Sequence, residues 1–486
     1  MIIKKAYRRL KRSELRFLFS IARFLITHTS DDFKVKIGYL LRDITPGEHN
    51  KEMIERVVKI ARERKPLYIL MKRSLSNTNK RMIKRFFSNV LVDEILLSNS
   101  KGSPRDNFRK KYGYSPPTFL LISPTMRCNL NCIGCSTRKY NTKDIPLPVL
   151  YKVFNEAREM GIHFVVTLGG EPFIRPEFFD VCKKFKDIFF QVYTNGTLIN
   201  ERMAKKIAKL GNIAPMFSIE GFEKETDERR GKGVFKKIMN AMELLRKHRV
   251  VYGFSATATK KNYKTIVSDE FINFMIKKGC VMGWYFMYIP IGDKPDISLM
   301  PTPEQRMYVN KRTKEIRDTK PLFLGDFWGD GPFVGGCLAG RQYIHINNDG
   351  NIEPCGFVHF ATDNIKDVYR RGSNLKEALN SQFFRMIRER QQAMTAKKRF
   401  SDNLLTPCMI IDQPWVLRDI CKKCNACGTH KGAETIITDK KIMKHLDSYS
   451  KKLHKISDKE WDKKFGEERV ALFKKIYPDF ATREKV

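Results

Sequence analysis

Three cysteines in the first third of the chain carry the clearest chemical signal in the sequence. Cys128, Cys132 and Cys135 lie within eight residues, directly after an apolar run. Their short spacing lets one loop bring three thiolates around one face of a cuboidal four-iron cluster, which leaves one iron without a thiolate. An open metal position is typical of a reactive site. The alternative is a zinc knuckle that a distant fourth ligand completes.

Six short apolar, β-branched or aromatic runs follow and alternate with amphipathic stretches of helical length. The runs cover 118–123, 164–168, 189–194, 214–219, 252–257 and 284–289. Near-continuous apolar strands that alternate with helices indicate a parallel sheet covered by helices. The sequence therefore predicts an α/β fold: a partial (β/α)6 TIM-type barrel with a basic helical amino-terminal region and a small cysteine-rich carboxyl-terminal extension.

Shifts in composition divide the chain into four predicted regions. They are a basic helical region at 1–113, the barrel at 114–330, a cysteine-bearing extension at 331–430 and a basic helical tail at 431–486. Within the extension, a turn at 348–350 between two short apolar runs predicts a β-hairpin. Cys182 and Cys280 stand alone in apolar surroundings and are predicted to be small buried side chains.

The ends of the predicted strands carry residues suited to a polar ligand. The second strand is followed by open backbone and one carboxylate, in Gly169, Gly170, Glu171 and Pro172. The next two strands are followed by Asn195, Ser218 and Glu220. In a barrel of parallel strands, chemistry occurs where strands end and loops begin. These residues are therefore expected to surround the same site as the cysteine loop.

These motifs together resemble the radical S-adenosylmethionine (SAM) superfamily over roughly residues 118–300. The resemblance implies that Cys128, Cys132 and Cys135 hold a catalytic [4Fe-4S] cluster and that SAM binds the open iron. Reductive cleavage of SAM then gives a 5′-deoxyadenosyl radical that abstracts a hydrogen atom from the substrate. The protein supplies orientation and a cavity poor in water.

The same resemblance implies particular contacts to SAM. The backbone of Gly169, Gly170, Glu171 and Pro172, with the Glu171 carboxylate, is expected to receive the methionine amino group. Ser218 and Glu220 are expected to contact the ribose or carboxylate end. Asn195 is either a further contact or part of an ordinary Asn-Gly turn. Arg230 either pairs with the SAM carboxylate or is a solvated surface side chain.

Six more cysteines lie in the last third of the chain, around and after the predicted hairpin. They are Cys337, Cys355, Cys408, Cys421, Cys424 and Cys427. The hairpin and its flanking cysteines resemble the SPASM/twitch extension of radical SAM enzymes, although the full two-cluster cysteine pattern is absent. The expectation is one auxiliary [4Fe-4S] cluster on Cys337, Cys355, Cys408 and Cys424, with Cys421 or Cys427 as the alternative to Cys424. A structural zinc site is the other interpretation.

The 486-residue chain is strongly basic, with 92 Lys and Arg against 53 Asp and Glu. It contains no uninterrupted apolar stretch of about 18 residues and no secretory signal, so the prediction is a cytoplasmic protein. Residues 4–26 form a helical pattern with a basic face beside an apolar one, typical of a helix in a membrane interface. Peripheral association with the inner face of an anionic membrane is one expectation; packing of this helix on the barrel is the alternative.

The substrate is less defined than the chemistry. The first hypothesis is an enzyme that attacks an unactivated C–H bond of a membrane lipid, because only a strongly oxidising radical can do so. The alternatives are a peptide or protein maturase of the SPASM/twitch type, an RNA-modifying enzyme, and a non-catalytic iron–sulfur redox protein. Flavodoxin or ferredoxin is the expected electron donor.

Overall fold

The computed structural model describes residues 63, 65–90, 102–137, 143–292, 294–395 and 403–465. A nine-stranded sheet forms its centre, with the order β7-β6-β5-β4-β3-β2-β1-β8-β9. The strands are β1 Phe119–Ile122, β2 Phe164–Thr167, β3 Phe189–Thr194, β4 Ile213–Ser218, β5 Gly253–Ala258, β6 Met282–Met287, β7 Phe323–Asp326, β8 Tyr343–Ile346 and β9 Ile352–Glu353. A second, two-stranded sheet pairs β10 Phe360–Ala361 with β11 Cys427–Gly428.

Helices cover the outside of this sheet and occupy both ends of the described chain. The first group comprises α1 Pro66–Asn77, α2 Lys80–Phe86, α3 Pro104–Tyr112, α4 Leu147–Glu159, α5 Phe178–Lys184, α6 Glu201–Leu210, α7 Glu223–Arg230, α8 Val234–Lys247 and α9 Asp269–Lys277. The second comprises α10 Pro303–Thr319, α11 Gly331–Val334, α12 Ile365–Arg370, α13 Leu375–Ala378, α14 Gln382–Thr395, α15 Pro414–Cys424, α16 Thr435–Thr438 and α17 Lys440–Phe465.

The sheet is an open, almost entirely parallel barrel wall. Strands β1 to β8 all pair in parallel with one another, and the one antiparallel pair of this sheet joins β9 to β8. The six predicted strands correspond to β1–β6 within two residues at each end, which confirms the partial TIM-type architecture. Cys182 and Cys280 are fully buried, as predicted.

The structure adds three strands to the six that were predicted for the wall. The four-residue β7 extends it beyond β6. The predicted hairpin forms as β8 and β9, but β8 also pairs in parallel with β1. The hairpin therefore belongs to the same sheet as the barrel, although the predicted boundary at residue 330 assigns it to the extension.

Helices α1 and α2 lie at the amino-terminal edge of the barrel. The Arg73 guanidinium donates to the backbone carbonyls of Ile276, Cys280 and Pro321, in the segments that enter β6 and β7. The backbone N–H of Asn79 donates to the carbonyl of Arg249 at 2.8 Å, just before β5. In the part of the chain that the structure describes, no helix is long and apolar enough to cross a membrane. The predicted interfacial helix at 4–26 lies outside the described residues.

Candidate active site

A cavity of about 1310 Å³ occupies the inside of the barrel and reaches the cysteine loop. All three loop cysteines line it, with Cys128 and Cys135 exposed and Cys132 half-buried. Five other predicted site residues line the same cavity: Gly169, Gly170, Asn195, Ser218 and Arg230. The remaining three lie behind its wall: Glu171, Pro172 and Glu220. The structure thus gathers the predicted residues around one site but gives some of them different roles.

The glycine pair after β2 holds the cysteine loop by direct backbone contact. Gly170 N–H donates to the Thr125 carbonyl at 3.1 Å, and Glu171 N–H donates to the Arg127 carbonyl at 2.8 Å. A Cβ on Gly170 would lie 2.3 Å from the Arg127 oxygen, and one on Gly169 would lie 2.2 Å from the Thr125 oxygen. Both positions therefore require glycine so that the two loops can approach this closely.

The Glu171 carboxylate does not face the cavity, which corrects the prediction that it receives the SAM amino group. Its side chain is fully buried. One oxygen accepts from Phe173 N–H at 3.1 Å and the Thr194 hydroxyl at 2.8 Å, and the other accepts from Asn195 N–H at 2.7 Å. Burial raises the pKa of this carboxyl to about 7. Glu171 ties the loop after β2 to the end of β3, so a SAM contact remains a proposal for the backbone of this segment.

Glu220 is also turned away from the cavity and anchors two arginines instead of the predicted ribose or carboxylate of SAM. Its carboxylate is 1% exposed and accepts from Arg229 at 2.7 Å, from Arg230 at 2.9 and 2.5 Å, and from Thr257 N–H at 3.0 Å. Arg229 continues the chain of contacts, because its backbone carbonyl and side chain bond both backbone groups of Ile133 in the cysteine loop.

Arg230 combines this structural ion pair with a position on the cavity wall. Two of its nitrogen atoms bond Glu220, and the side chain lines the cavity. It is close enough to Cys132 to affect the ionisation of that thiol. Pairing with the SAM carboxylate remains a prediction, while the solvated alternative is wrong because the guanidinium is paired and largely buried.

Asn195 forms a turn and also contacts the cysteine loop. Its side-chain oxygen accepts from Thr197 N–H at 2.9 Å, which closes the turn expected for Asn-Gly. Its side-chain N–H group donates to Asn129 at 2.9 Å and lies 3.8 Å from the Cys128 sulfur. Asn195 therefore supports Cys128 from behind, and an additional SAM contact stays a prediction.

The loop fits the iron–sulfur cluster that its cysteines predict. The three thiols line the cavity, and Cys132 and Cys135 are close enough to Cys128 to help raise the pKa of its thiol. Burial raises the pKa of the Cys128 and Cys132 thiols, so iron binding would have to displace their protons. No group of three His, Cys, Asp or Glu side chains in the described residues is arranged around a single ion.

Comparison with known proteins agrees with this geometry. The family model described as "Radical SAM superfamily" matches residues 122–266, which include the cysteine loop and the glycine pair. An uncharacterized protein of Methanocaldococcus jannaschii is 30% identical over 203 residues, covering 38% of this chain and 68% of that protein. The chain belongs to the radical SAM superfamily. It is an enzyme, and its cofactors include a [4Fe-4S] cluster and SAM.

Other relatives of this radical SAM enzyme cover more of the chain at lower identity. The AdoMet-dependent heme synthase of Methanosarcina barkeri is 25% identical over 312 residues, covering 57% of this chain and 86% of the relative. The mycofactocin maturase MftC of Mycobacterium tuberculosis is 26% identical over 303 residues, covering 58% and 75%. Among solved structures, Streptococcus suis SuiB bound to S-adenosylmethionine has a TM-score of 0.49 and 21% identity, covering 57% of this chain and 69% of SuiB.

The second cysteine group of this radical SAM enzyme divides into two sets, in an extension of the SPASM/twitch type. Cys337, Cys355 and Cys408 are close enough to affect one another's ionisation, and burial raises the pKa of each thiol to about 12. Cys355 also contacts the Tyr343 hydroxyl at 3.1 Å and Phe357 N–H at 3.4 Å. Three of the four expected auxiliary ligands are therefore neighbours.

The fourth auxiliary ligand stays a prediction. Cys421 and Cys424 lie on α15 and interact with each other, and the Cys424 thiol contacts the Met386 sulfur at 3.4 Å. Cys427 lies on β11 and is exposed.

Cys408 is fixed near the barrel because its N–H donates to Asp412 at 2.9 Å, and Asp412 pairs with the buried Arg306 of α10.

A buried polar network joins the hairpin to β1, and sequence reasoning missed it. His345 of β8 contacts the Ser123 hydroxyl at 2.7 Å and the Glu353 carboxylate at 2.6 Å. Glu353 also accepts from Asn347 at 2.9 Å and from Thr429 at 2.5 Å. The available signal was the inward register of a histidine and a glutamate at paired positions of a hairpin. The network ties the first strand, the hairpin and the segment after Cys427 together.

Proposed function

We propose that this radical SAM enzyme reductively cleaves SAM and that the resulting 5′-deoxyadenosyl radical abstracts hydrogen from an unactivated C–H bond in the hydrocarbon chain of a membrane lipid. The supporting observation is the size and lining of the barrel cavity. At about 1310 Å³ it exceeds the 300–1,000 Å³ that is typical of small-molecule sites. A single SAM molecule would leave much of it free for a long substrate.

The half of the cavity remote from the cysteines is lined almost entirely by apolar side chains. These residues come from the amino-terminal ends of the strands and from α1 and α2: Leu70, Met71, Leu75, Phe86, Phe119, Phe164, Phe189, Val281, Met282 and Phe323. Closed barrels of this class normally fill their interior with layers of side chains. An unfilled apolar interior favours a ligand that needs no hydrogen-bond partners, such as a hydrocarbon chain.

Polar side chains concentrate in the half of the cavity nearer the cysteines. Ser218, Ser255 and Thr257 line it, and Arg229 and Arg230 bring positive charge. A zwitterionic cofactor with a ribose would find its partners here. The proposed arrangement therefore places SAM at the carboxyl ends of the strands and the lipid chain below it, with the target carbon at the junction.

The chain's own residues position the reactants and exclude water. The Glu220 ion pair and the glycine pair fix the cysteine loop from two sides. Tyr193, Phe286 and Phe327 line the cavity with successive ring centroids 5.6 and 5.4 Å apart, and this aromatic surface would help to exclude water. When bound, the cluster supplies one electron to SAM from an external donor, for which we propose flavodoxin or ferredoxin.

Deuterium transfer tests this function directly. The anaerobically reconstituted enzyme is incubated with SAM, dithionite and vesicles made from lipids of source cells grown on deuterated medium. We expect mass spectrometry to detect monodeuterated 5′-deoxyadenosine, and Cys128→Ala to produce none. Unlabelled 5′-deoxyadenosine alone, from fully reconstituted enzyme with vesicles present, would contradict the lipid assignment.

A variant inside the remote half sharpens the test. Ala214 is buried and lines the cavity, so Ala214→Phe places a ring in the proposed chain-binding space. We expect the deuterated fraction of 5′-deoxyadenosine to fall, because the chain no longer reaches the junction. A melting temperature and iron content close to those of the wild type are the controls for correct folding.

Peptide maturation is the second candidate, and the 26% identity to a mycofactocin maturase favours it. A peptide substrate would have to satisfy its backbone N–H and C=O groups, for which the remote half of the cavity offers few side-chain partners, such as Ser74 of α1 and Thr78 directly after it. Replacing the lipid by peptides encoded next to the gene, synthesised with deuterated side chains, tests this candidate. If 5′-deoxyadenosine acquires deuterium from the peptide but not from the lipid, the substrate is a peptide.

A further inference from the structure

The barrel cavity has a second opening at the amino-terminal edge of the sheet. Met71 of α1, Phe86 of α2 and Phe323 of β7 line the cavity, yet they are 40%, 44% and 55% exposed. Side chains that border both the cavity and the solvent mark its mouth. Leu67 and Ile69, 53% and 44% exposed, extend the apolar surface along α1.

The α1–α2 segment beside this mouth is strongly basic, although Lys65 at its start pairs with Glu63 at 2.9 Å. Residues 65–90 contain seven lysines and arginines and no aspartate or glutamate. On α2, which also carries the exposed Phe86, the side chains of Lys80, Arg81 and Lys84 are exposed. Exposed apolar side chains bordered by basic ones are the pattern of a surface that lies on an anionic bilayer.

We propose that the amino-terminal mouth docks on the anionic headgroups of a lipid bilayer and admits the hydrocarbon chain to the cavity from that side. The exposed apolar side chains enter the acyl region, and the α2 lysines pair with lipid phosphates. SAM then reaches the opposite mouth, at the cysteine loop, from water. This inference rests on the proposed function and adds the route and the orientation of the substrate.

Removal of two charges tests the docking surface. Full-length protein is sedimented with vesicles of phosphatidylcholine alone or of phosphatidylcholine with about 30% of the anionic phosphatidylglycerol. We expect Lys80→Gln with Lys84→Gln to weaken binding to the anionic vesicles about 25-fold, because each lysine near such a surface contributes about fivefold. Lys236→Gln with Lys237→Gln is the matched control, since both lysines are exposed on α8.

Unchanged binding of the α2 double variant would overturn the inference and place membrane contact elsewhere in the chain. Equal binding of the wild type to both vesicle types would overturn it as well. If the protein binds neither vesicle type, the inference is also overturned, and a protein becomes the expected partner of this surface. Circular dichroism and melting temperature confirm that each variant is folded.

An acidic residue in the mouth tests the route of the chain. Phe323→Glu places a carboxylate at the 55% exposed rim of the cavity, whereas Phe333→Glu changes a 79% exposed ring that does not line it. We expect Phe323→Glu to weaken vesicle binding and deuterium transfer about tenfold, because the charge must leave water for the bilayer, and Phe333→Glu to change neither.

The two proposals fail in different ways. Deuterium transfer that persists in Phe323→Glu and in the α2 double variant would leave the lipid assignment intact and refute the route. Vesicle binding that depends on these residues, without any deuterium transfer in the wild type, would support the docking surface and refute the lipid as substrate.

Discussion

The substitution Gly170→Ala isolates the contact between the glycine loop and the cysteine loop. The added Cβ would lie 2.3 Å from the Arg127 carbonyl oxygen and 2.5 Å from that of Met126. The first distance is about 1.1 Å short of an ordinary contact of 3.4 Å. Because both neighbours are backbone atoms, no side-chain rotation relieves the clash, and the two loops must separate.

The size of the effect follows from the groups that have to move. Overpacking of this kind costs about 1–3 kcal/mol. Separation also weakens the hydrogen bonds from Gly170 and Glu171 to the cysteine loop, at about 0.5–1.5 kcal/mol each. We expect a loss of about 2–4 kcal/mol in the free energy of unfolding, which corresponds to about 2–4 °C in melting temperature for a chain of this length.

Calorimetry of the cluster-free protein measures the stability, and iron and sulfide analysis after anaerobic reconstitution measures cluster binding. Gly356→Ala is the control, because its Cβ would meet only the ends of flexible leucine side chains, at 3.2 Å or more. Neither glycine has a positive φ, so backbone strain does not distinguish them. An unchanged melting temperature and full iron content in Gly170→Ala would refute the view that this contact fixes the cysteine loop.

Three further changes test other parts of the site. Cys355→Ala should lower the iron of the reconstituted enzyme from about eight to about four atoms per chain; unchanged iron would exclude an auxiliary cluster on this residue. Glu220→Gln should destabilise the protein by about 3–5 kcal/mol, because it leaves Arg229 and Arg230 without their buried counter-charge. Although burial acts to raise it, the two arginines hold the pKa of Glu220 below its usual value. Its contribution is therefore complete at neutral pH and is lost as the pH falls through that lowered pKa, which melting curves from pH 7 to 3 can follow. Burial raises the pKa of Glu171 to about 7, so the native state holds an extra proton between the ordinary glutamate pKa and pH 7. Stability should fall as the pH rises through this window, and Glu171→Gln should melt with no such dependence.

Much of the barrel could be predicted because its strands are nearly continuous apolar runs between amphipathic helices. The β7 strand was not predicted because it has only four residues, two of which are glycine and aspartate. The pairing of β8 with β1 was not predicted for another reason. A hairpin predicts its own antiparallel partner from its turn, whereas a parallel neighbour more than 200 residues away leaves no local pattern.

The residue types of the site were predictable, but the directions of two side chains were not. Glycine and cysteine act here through backbone and sulfur positions that loop spacing largely determines. Glu171 and Glu220 each follow a strand end, where the chain turns sharply, and one change of direction decides whether a carboxylate faces the cavity or the protein. Both carboxylates face the protein because hydrogen-bond donors lie on that side. Backbone N–H and hydroxyl groups bond Glu171, and a backbone N–H and arginines bond Glu220.

The polar network of His345 and Glu353 limits how this chain can diverge. A slip of one residue in the hairpin register would turn both side chains to the opposite face and leave Ser123 without its partner. The turn at 347–351 should therefore resist insertions and deletions in homologous sequences, even though it lies in a loop. Homologues with a longer turn would have to lose the His345 hydrogen bonds that hold the hairpin against β1.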